Sequence, residues 1–206
     1  EDGSLIITPK ASNELNLTVN NANATKVYDG QELKAVATTD VEGTTVSYLI
    51  DSETNWTTEA PSITNVGKIT VKVKAENPNY ETATAEYTLE VTKRPVTLTS
   101  GSASKEYDGK PLTNPEVTVG GKGFVEGEVE KESIKATGTI TDVGTTVNTI
   151  VFTGVEGKFD VNNYDIQKTE NELKITANTT AVEVTIKGHK DEVTYDGNEH
   201  EVTGYD

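Results

Sequence analysis

Apolar and polar residues alternate along most of this chain. Ile69, Val71, Val73 and Ala75 alternate with Thr70, Lys72 and Lys74, and Ala85, Tyr87, Leu89 and Val91 alternate with Thr84, Glu86, Thr88 and Glu90. A period of two sends the two sets to opposite faces of an extended backbone, so each stretch predicts a half-buried strand. Leu15, Leu17 and Val19 against Glu14, Asn16 and Thr18 predict an earlier strand, and Leu33 to Val36 and Thr45 to Ile50 two more. Further along, Val96 with Leu98, Val117 with Val119, Val147 to Phe152, Leu173 with Ile175, and Val182, Val184 and Ile186 continue the pattern. Glu126 to Lys135 is rich in Glu and Lys but has no apolar stripe at helical spacing, which favours an irregular strand or loop. The expected fold class is all-β.

Short motifs recur at fixed spacing. Leu5-Ile6-Ile7-Thr8, Leu89-Glu90-Val91-Thr92 and Leu173-Lys174-Ile175-Thr176 share a pattern, and 89 − 5 and 173 − 89 both equal 84. Asn79-Tyr80 and Asn163-Tyr164 keep the same offset. Such self-similarity predicts tandem units. Residues 1–9 are expected to be the last strand of one repeat, 10–92 a first complete module, 93–176 a second, and 177–206 the incomplete start of a third. A third motif stands at Tyr28-Asp29-Gly30, Tyr107-Asp108-Gly109 and Tyr195-Asp196-Gly197. Asp-Gly is a strong hairpin signal, so each copy predicts a tight structural turn between two paired strands, with Leu33, Leu112 and His200 sharing the inward face of their tyrosines. Asn65-Val66-Gly67 and Asp142-Val143-Gly144 predict further turns, and Lys93-Arg94-Pro95 a short linker stiffened by proline. Residues 177–206 cannot close a sandwich alone and are expected, if ordered, to pair with another strand. A chain that starts at Glu1 and has no Met is expected to be part of a longer polypeptide.

Composition narrows the function. With 33% hydrophobic and 6% aromatic residues, the expected build is thin β layers with a solvated exterior. The 34 acidic and 18 basic residues give a net charge of −16, which repels phosphate backbones and argues against nucleic acid as a partner. The absence of Cys removes disulfides and thiolate chemistry, and no apolar run is long enough for a helical membrane span.

The Tyr-Asp-Gly triplets, the Asn/Asp-Val-Gly turns, the Asn-Tyr pairs and the closing Leu-x-Ile/Val-Thr strands together resemble the tandem mostly-β, glycine-rich repeats of bacterial surface proteins and adhesins. The resemblance implies tandem Ig-like β-sandwich modules, with β-grasp-like modules as the alternative, in a stalk on a bacterial cell surface attached to the wall. It also implies neighbouring repeats of the same chain as partners. Some modules of this general sort carry a self-formed Lys–Asn or Lys–Asp amide beside a buried carboxylate, for which Lys105 is a candidate.

Candidate chemistry is sparse. His189 and His200 fall in the third copy, and modules one and two have no His, Cys or Met, which leaves acyl-transfer and metal-assisted mechanisms without their usual groups. Asp160, Asn162, Tyr164 and Asp165 begin like a calcium loop, yet Asp165 stands where the sharp turn needs Gly, so a polar turn is expected. Trp56, near Asn55 and Glu59, is the candidate ligand contact, since an aromatic face beside hydrogen-bonding groups suits a sugar ring; the other reading is that it caps its own sandwich. No catalytic residue and no cofactor is expected. The expected role is a non-catalytic spacer, and the alternative is an adhesin module that binds host glycan or protein through a loop or sheet edge.

Overall fold

A computed structural model describes residues 4–205. They are rich in strands, and their helical turns are 3-10 turns of three or four residues at Ser12–Leu15, Lys131–Ser133 and Val161–Asn163. Among the described residues no helix is long and apolar enough to cross a membrane.

Residues 10–92 are organised by one four-stranded sheet. Its order is Ala24–Val27, Ala83–Thr92, Gly67–Glu76, Thr45–Ile50, the first pair parallel and the other two antiparallel. The two long central strands are the stretches of strongest alternation. Val71, Val73 and Ala75 are buried on the face that Tyr87 and Leu89 share, while Lys72 is exposed opposite. Two short antiparallel pairs, Thr18–Asn20 with Val36–Thr38 and Leu33–Lys34 with Ser62–Ile63, supply further strands. Ala35 and Ala37 from this layer join Tyr48, Val71, Val73, Tyr87 and Leu89 in one core. Two phenols tie the layers together: the Tyr48 hydroxyl accepts from Ala37 N–H at 2.9 Å, and the Tyr87 hydroxyl donates to Ala35 O at 3.3 Å. Buried hydroxyls left unpaired would cost on the order of 1–3 kcal/mol each, so these bonds are part of the core.

Residues 94–176 use shorter pieces. One three-stranded sheet runs Ala103–Glu106, Glu172–Thr176, Gly144–Val147, and another runs Val117–Gly121, Arg94–Ser100, Tyr164–Thr169. The pairings match those of the first half. Ala24–Val27 lies parallel to the strand of Leu89 to Thr92, as Ala103–Glu106 lies parallel to that of Leu173 to Thr176. Leu33 faces Ile63 as Leu112 faces Ile140, and Gly67 faces Val91 as Gly144 faces Ile175. Lys10 bridges Tyr80 in parallel, and 84 residues on Arg94 pairs with Tyr164 in the same sense. Asn148, fully buried, donates to Gly101 O at 2.8 Å and Asn114 O at 2.7 Å and accepts from Gly138 N–H at 3.0 Å, pinning three loops.

Several expectations need correction. The strands flanking Tyr28-Asp29-Gly30 do not pair with each other: Ala24–Val27 joins the large sheet and Leu33–Lys34 joins Ser62–Ile63. The triplet is a corner between sheets rather than a hairpin, and Tyr107-Asp108-Gly109 is the same. The strand expected from Leu15 to Val19 starts at Thr18, because Asn16 takes a left-handed φ of 50° after the Ser12–Leu15 turn; Leu15 is still buried. The linker shrinks to Lys93, since one strand ends at Thr92 and the next begins at Arg94 with Pro95 inside it. Gly121, at φ +69°, passes so close to Pro95 that a Cβ would lie 2.6 Å from Pro95 O, so this crossing requires glycine.

Both ends of the described chain are open. Leu5, Ile6 and Ile7 are exposed and residues 4–9 form no strand; residues 1–3 lie outside the described residues. Residues 177–205 are exposed and lack a strand ladder, with one isolated bridge between Gly188 and Tyr205, so the expected pairing is not made. The other Tyr-Asp-Gly strands each pair with a closing strand that follows them by more than sixty residues.

Candidate functional site

A buried polar arrangement lies where residues 10–92 and 94–176 meet. Its floor is the first corner. Asp29 Oδ1 accepts from Gln31 N–H at 2.9 Å and from Lys26 Nζ at 2.6 Å, while Gly30 takes φ +77°. The Asx turn and the glycine bend the chain after Ala24–Val27. Lys26 and the Gln31 N–H, in that order, hold the Asp29 carboxyl below its ordinary range. Tyr28 N–H donates to Thr92 O at 2.9 Å, fixing the corner against the end of the closing strand.

Residues from the second half form the roof. Tyr28 is 4% exposed, and its ring meets that of Tyr164 edge to face with centroids 5.6 Å apart. Both hydroxyls donate to one carboxylate: Tyr28 to Glu128 Oε1 at 2.7 Å and Tyr164 to Glu128 Oε2 at 2.6 Å. The Tyr164 hydroxyl also accepts from Val125 N–H at 3.1 Å. Glu128 is 7% exposed and is the buried charged residue among the described residues. Burial first, and then the Glu128 carboxylate, push the Tyr28 phenol up to about 12 and raise that of Tyr164 as well. At neutral pH both phenols therefore serve as donors, and charge-assisted bonds of this kind are the stronger class.

Two further links brace the joint. Arg94 Nε donates to Gly123 O at 2.7 Å and Nη2 to Lys122 O at 2.7 Å, holding the Glu128 loop, while Nη1 reaches Tyr28 O at 3.2 Å. Asn163 Oδ1 accepts from Val66 N–H at 2.9 Å, and its Nδ2 donates to Asn65 Oδ1 at 3.1 Å. Asp160 caps the turn that presents Asn163, accepting from Asn162 N–H at 2.9 Å, so the stretch resembling a calcium loop is a capped turn leading to buried Tyr164. Apolar residues of both halves fill the rest: Tyr28 and Val91 cluster with Val96, Leu98, Ile150 and Tyr164.

The other triplets share the turn but not the roof. Lys105 Nζ donates to Asp108 Oδ1 at 2.6 Å, Lys110 N–H to the same oxygen at 3.0 Å, and Gly109 takes φ +71°. Tyr107 is 41% exposed. The Lys105 ammonium is committed to this partly exposed ion pair, and the buried carboxylate, Glu128, is bonded to tyrosines instead. At the third copy Asp196 accepts from Asn198 N–H at 2.9 Å and pairs with His200 Nε2 at 2.8 Å, which together lower its carboxyl. His200 thus bonds the turn instead of filling a core place like Leu33, and Tyr195 is 92% exposed. His189 N–H donates to Gly204 O at 3.2 Å.

Trp56 is remote from the joint. It sits beside the Tyr48–Thr57 bridge, with Lys74 Nζ 4.9 Å from its ring centroid, over a shallow depression lined by Lys72, Val73, Thr84, Ala85 and Glu86. These residues belong to the central strands of the large sheet, so the ring lies against that sheet rather than capping an end. A cation over an aromatic face is worth about 0.5–1 kcal/mol at exposed sites. Among the described residues no group of three or more His, Cys, Asp or Glu is arranged to hold a metal ion.

Local sequence does not single out Glu128, and it marks Asn163 and Arg94 only as half of a repeated Asn-Tyr pair and as part of a linker. One signal does point to the loop: Val41-Glu42-Gly43 and Val125-Glu126-Gly127 stand 84 residues apart, and both glycines have positive φ, 75° and 78°. The residue that follows is Thr44 in the first half and Glu128 in the second. No family model matches the sequence, and no curated protein is significantly similar to it.

Proposed function

We propose that this chain is a non-catalytic spacer, a section of an extended stalk on a bacterial surface, built from tandem Ig-like β-sandwich units at residues 10–92 and 93–176. The observation that carries this reading is the joint itself. A one-residue connection, a shared apolar cluster and a carboxylate clamped between two phenols are what a stiff end-to-end coupling requires, and they use up the buried charge that a catalytic site would need. The strong negative charge keeps such a stalk solvated and suits an extracellular, wall-attached position away from nucleic acid. The absence of a longer helix among the described residues favours sandwich units over β-grasp ones.

Stiffness is directly measurable. The chain has no native cysteine, so spin labels can be placed at Glu53→Cys and Glu156→Cys, both exposed and in different halves. A narrow distance distribution is expected in solution. A broad one would remove the spacer reading.

The adhesin alternative rests on Trp56, whose ring lies over an open depression with charged side chains around it. Glycan-array binding by the native chain that disappears in Trp56→Ala would favour it over the spacer.

A further inference from the structure

We infer that the Tyr107 corner is a preformed socket for another unit built like residues 94–176, one that presents a buried-type carboxylate on a Val-Glu-Gly-Glu loop and an Asn-Tyr turn. This rests on the spacer reading and adds to it the chemistry by which one unit recognises the next.

The occupied joint is the template. Around Tyr28 the floor consists of the Asx turn with its lysine, the Leu33–Ile63 pair and Val66. Each part recurs at the far end of the second half. Lys105–Asp108 repeats Lys26–Asp29, both at 2.6 Å; Tyr107 N–H donates to Thr176 O at 2.9 Å as Tyr28 N–H does to Thr92 O; and Leu112 pairs with Ile140. Val143 occupies the place of Val66 in the turn before the glycine. What differs is cover. Tyr28 is 4% exposed and Tyr107 41%, and Val143 is 55% exposed. An apolar surface so arranged, with a phenol ready to donate, matches an occupant that brings an acceptor.

The occupant is specified by what closes the first joint. Glu128 takes the Tyr28 hydroxyl, Asn163 takes the Val66 N–H and donates to Asn65, and Arg94 reaches Tyr28 O. At the second socket Asp142 replaces Asn65 and still offers an oxygen to the asparagine amide. Residues 10–92 make a poorer occupant. They keep Asn79-Tyr80 and the Val-Glu-Gly loop but put Thr44 where Glu128 stands and Lys10 where Arg94 stands. Residues 177–205 do not cover Tyr107 either, and Asn178 holds the position of Arg94.

The test is an in-frame insertion of a second copy of residues 93–176 after Thr176 in the full chain. Hydroxyl-radical footprinting with mass spectrometry then reads each tyrosine. In the parent, Tyr28 should be protected and Tyr107 reactive. In the extended chain Tyr107 should fall about tenfold, the ratio of the two exposures, and Glu128→Ala made in the inserted copy should restore most of that reactivity. Low reactivity of the copy's counterparts to Leu98 and Leu173 reports separately that it has folded. A folded copy that leaves Tyr107 as reactive as before overturns the inference, as does protection that survives Glu128→Ala in the copy. An insert that fails to fold beside this socket also counts against it. If Tyr28 itself reacts like Tyr195 in the parent chain, the joint is not formed and the spacer reading falls with it; if Tyr28 is protected and Tyr107 never becomes so, the inference alone fails.

Discussion

Residues 10–92 and 94–176 use the same pairings and reach different degrees of independence. The first half has a core of its own, in which Val71, Val73, Tyr87 and Leu89 from two long strands meet Ala35, Ala37 and Tyr48. The second half has shorter ladders, and a cluster around Phe124, Phe152, Phe159 and Tyr164 leans on Tyr28, Leu33, Ile63, Val66 and Val91 of its neighbour. Similar pairings thus give one half a core of its own and leave the other sharing its core with a neighbour. Burial per strand explains the difference: a ten-residue strand packed on one face supplies several fully buried side chains, whereas two-residue ladders need help from outside.

The largest effect should come from emptying the first half's own core. Leu89→Ala is expected to cost about 2–5 kcal/mol, the range for a fully buried leucine. Denaturant unfolding followed by Trp56 fluorescence should show a lower midpoint, and hydrogen exchange should show protection lost in both halves, because the same strand carries Val91 into the shared cluster. Leu173→Ala, at the equivalent position and also fully buried, should cost a similar amount but expose mainly residues 94–176. Equal loss in the first half would mean that the halves depend on each other symmetrically, and the comparison would break.

Next is the clamp. Glu128→Ala removes the acceptor from two buried hydroxyls and should cost about 2–6 kcal/mol, given roughly 1–3 kcal/mol for each group left unsatisfied. A double-mutant cycle isolates the coupling, since Tyr28→Phe should cost much less in the Glu128→Ala background than in the native chain. Additive losses would show that the carboxylate stabilises its own loop and not the joint.

How much of this was legible from the chain follows from the range of the forces. Gly67–Glu76 and Ala83–Thr92 were plain because each strand's alternation records one dry and one wet face. The Asp-Gly triplets announced bends, which exist, but a bend does not say which strands pair. The parallel partner of Ala24–Val27 lies some 65 residues on, and no local pattern encodes it. Glu128 stands in the Glu- and Lys-rich stretch expected to be an irregular strand or loop, and its buried partner Tyr28 lies 100 residues earlier. Asn16 broke an expected strand because its left-handed φ is chosen where the chain leaves the Ser12–Leu15 turn. Trp56 was visible as an oddity, and its seat against the sheet was not.

Alkaline titration offers a gentler perturbation of the same joint. An ordinary tyrosine ionises near 10.0, whereas Tyr28 is held up to about 12, and Tyr164 is raised too. Below about pH 10 both phenols are protonated in the folded and unfolded chain, and the joint contributes in full. Between that value and about 12 the unfolded chain releases protons that the folded chain retains, so stability falls as pH rises through the window. Tyr87, raised to about 12 by burial, should add to the fall. Melting temperatures measured from pH 9 to 12 should decline, and Tyr28→Phe should flatten the curve.

The smallest effect concerns the two corners themselves. Asp29→Ala and Asp108→Ala each remove a turn-forming acceptor and an ion pair with lysine at 2.6 Å. Partly exposed pairs of this kind contribute about 0–1 kcal/mol, so each loss should be slight, and the two should be nearly equal in thermal melts. Equality is the informative outcome. It would mean that the turns are locally identical and that the tenfold difference in exposure between Tyr28 and Tyr107 comes from what lies over them, not from how the chain bends beneath. If Asp29→Ala proved much the more damaging, the first corner would be held in shape by its roof, and the second could not be taken as already shaped to receive one.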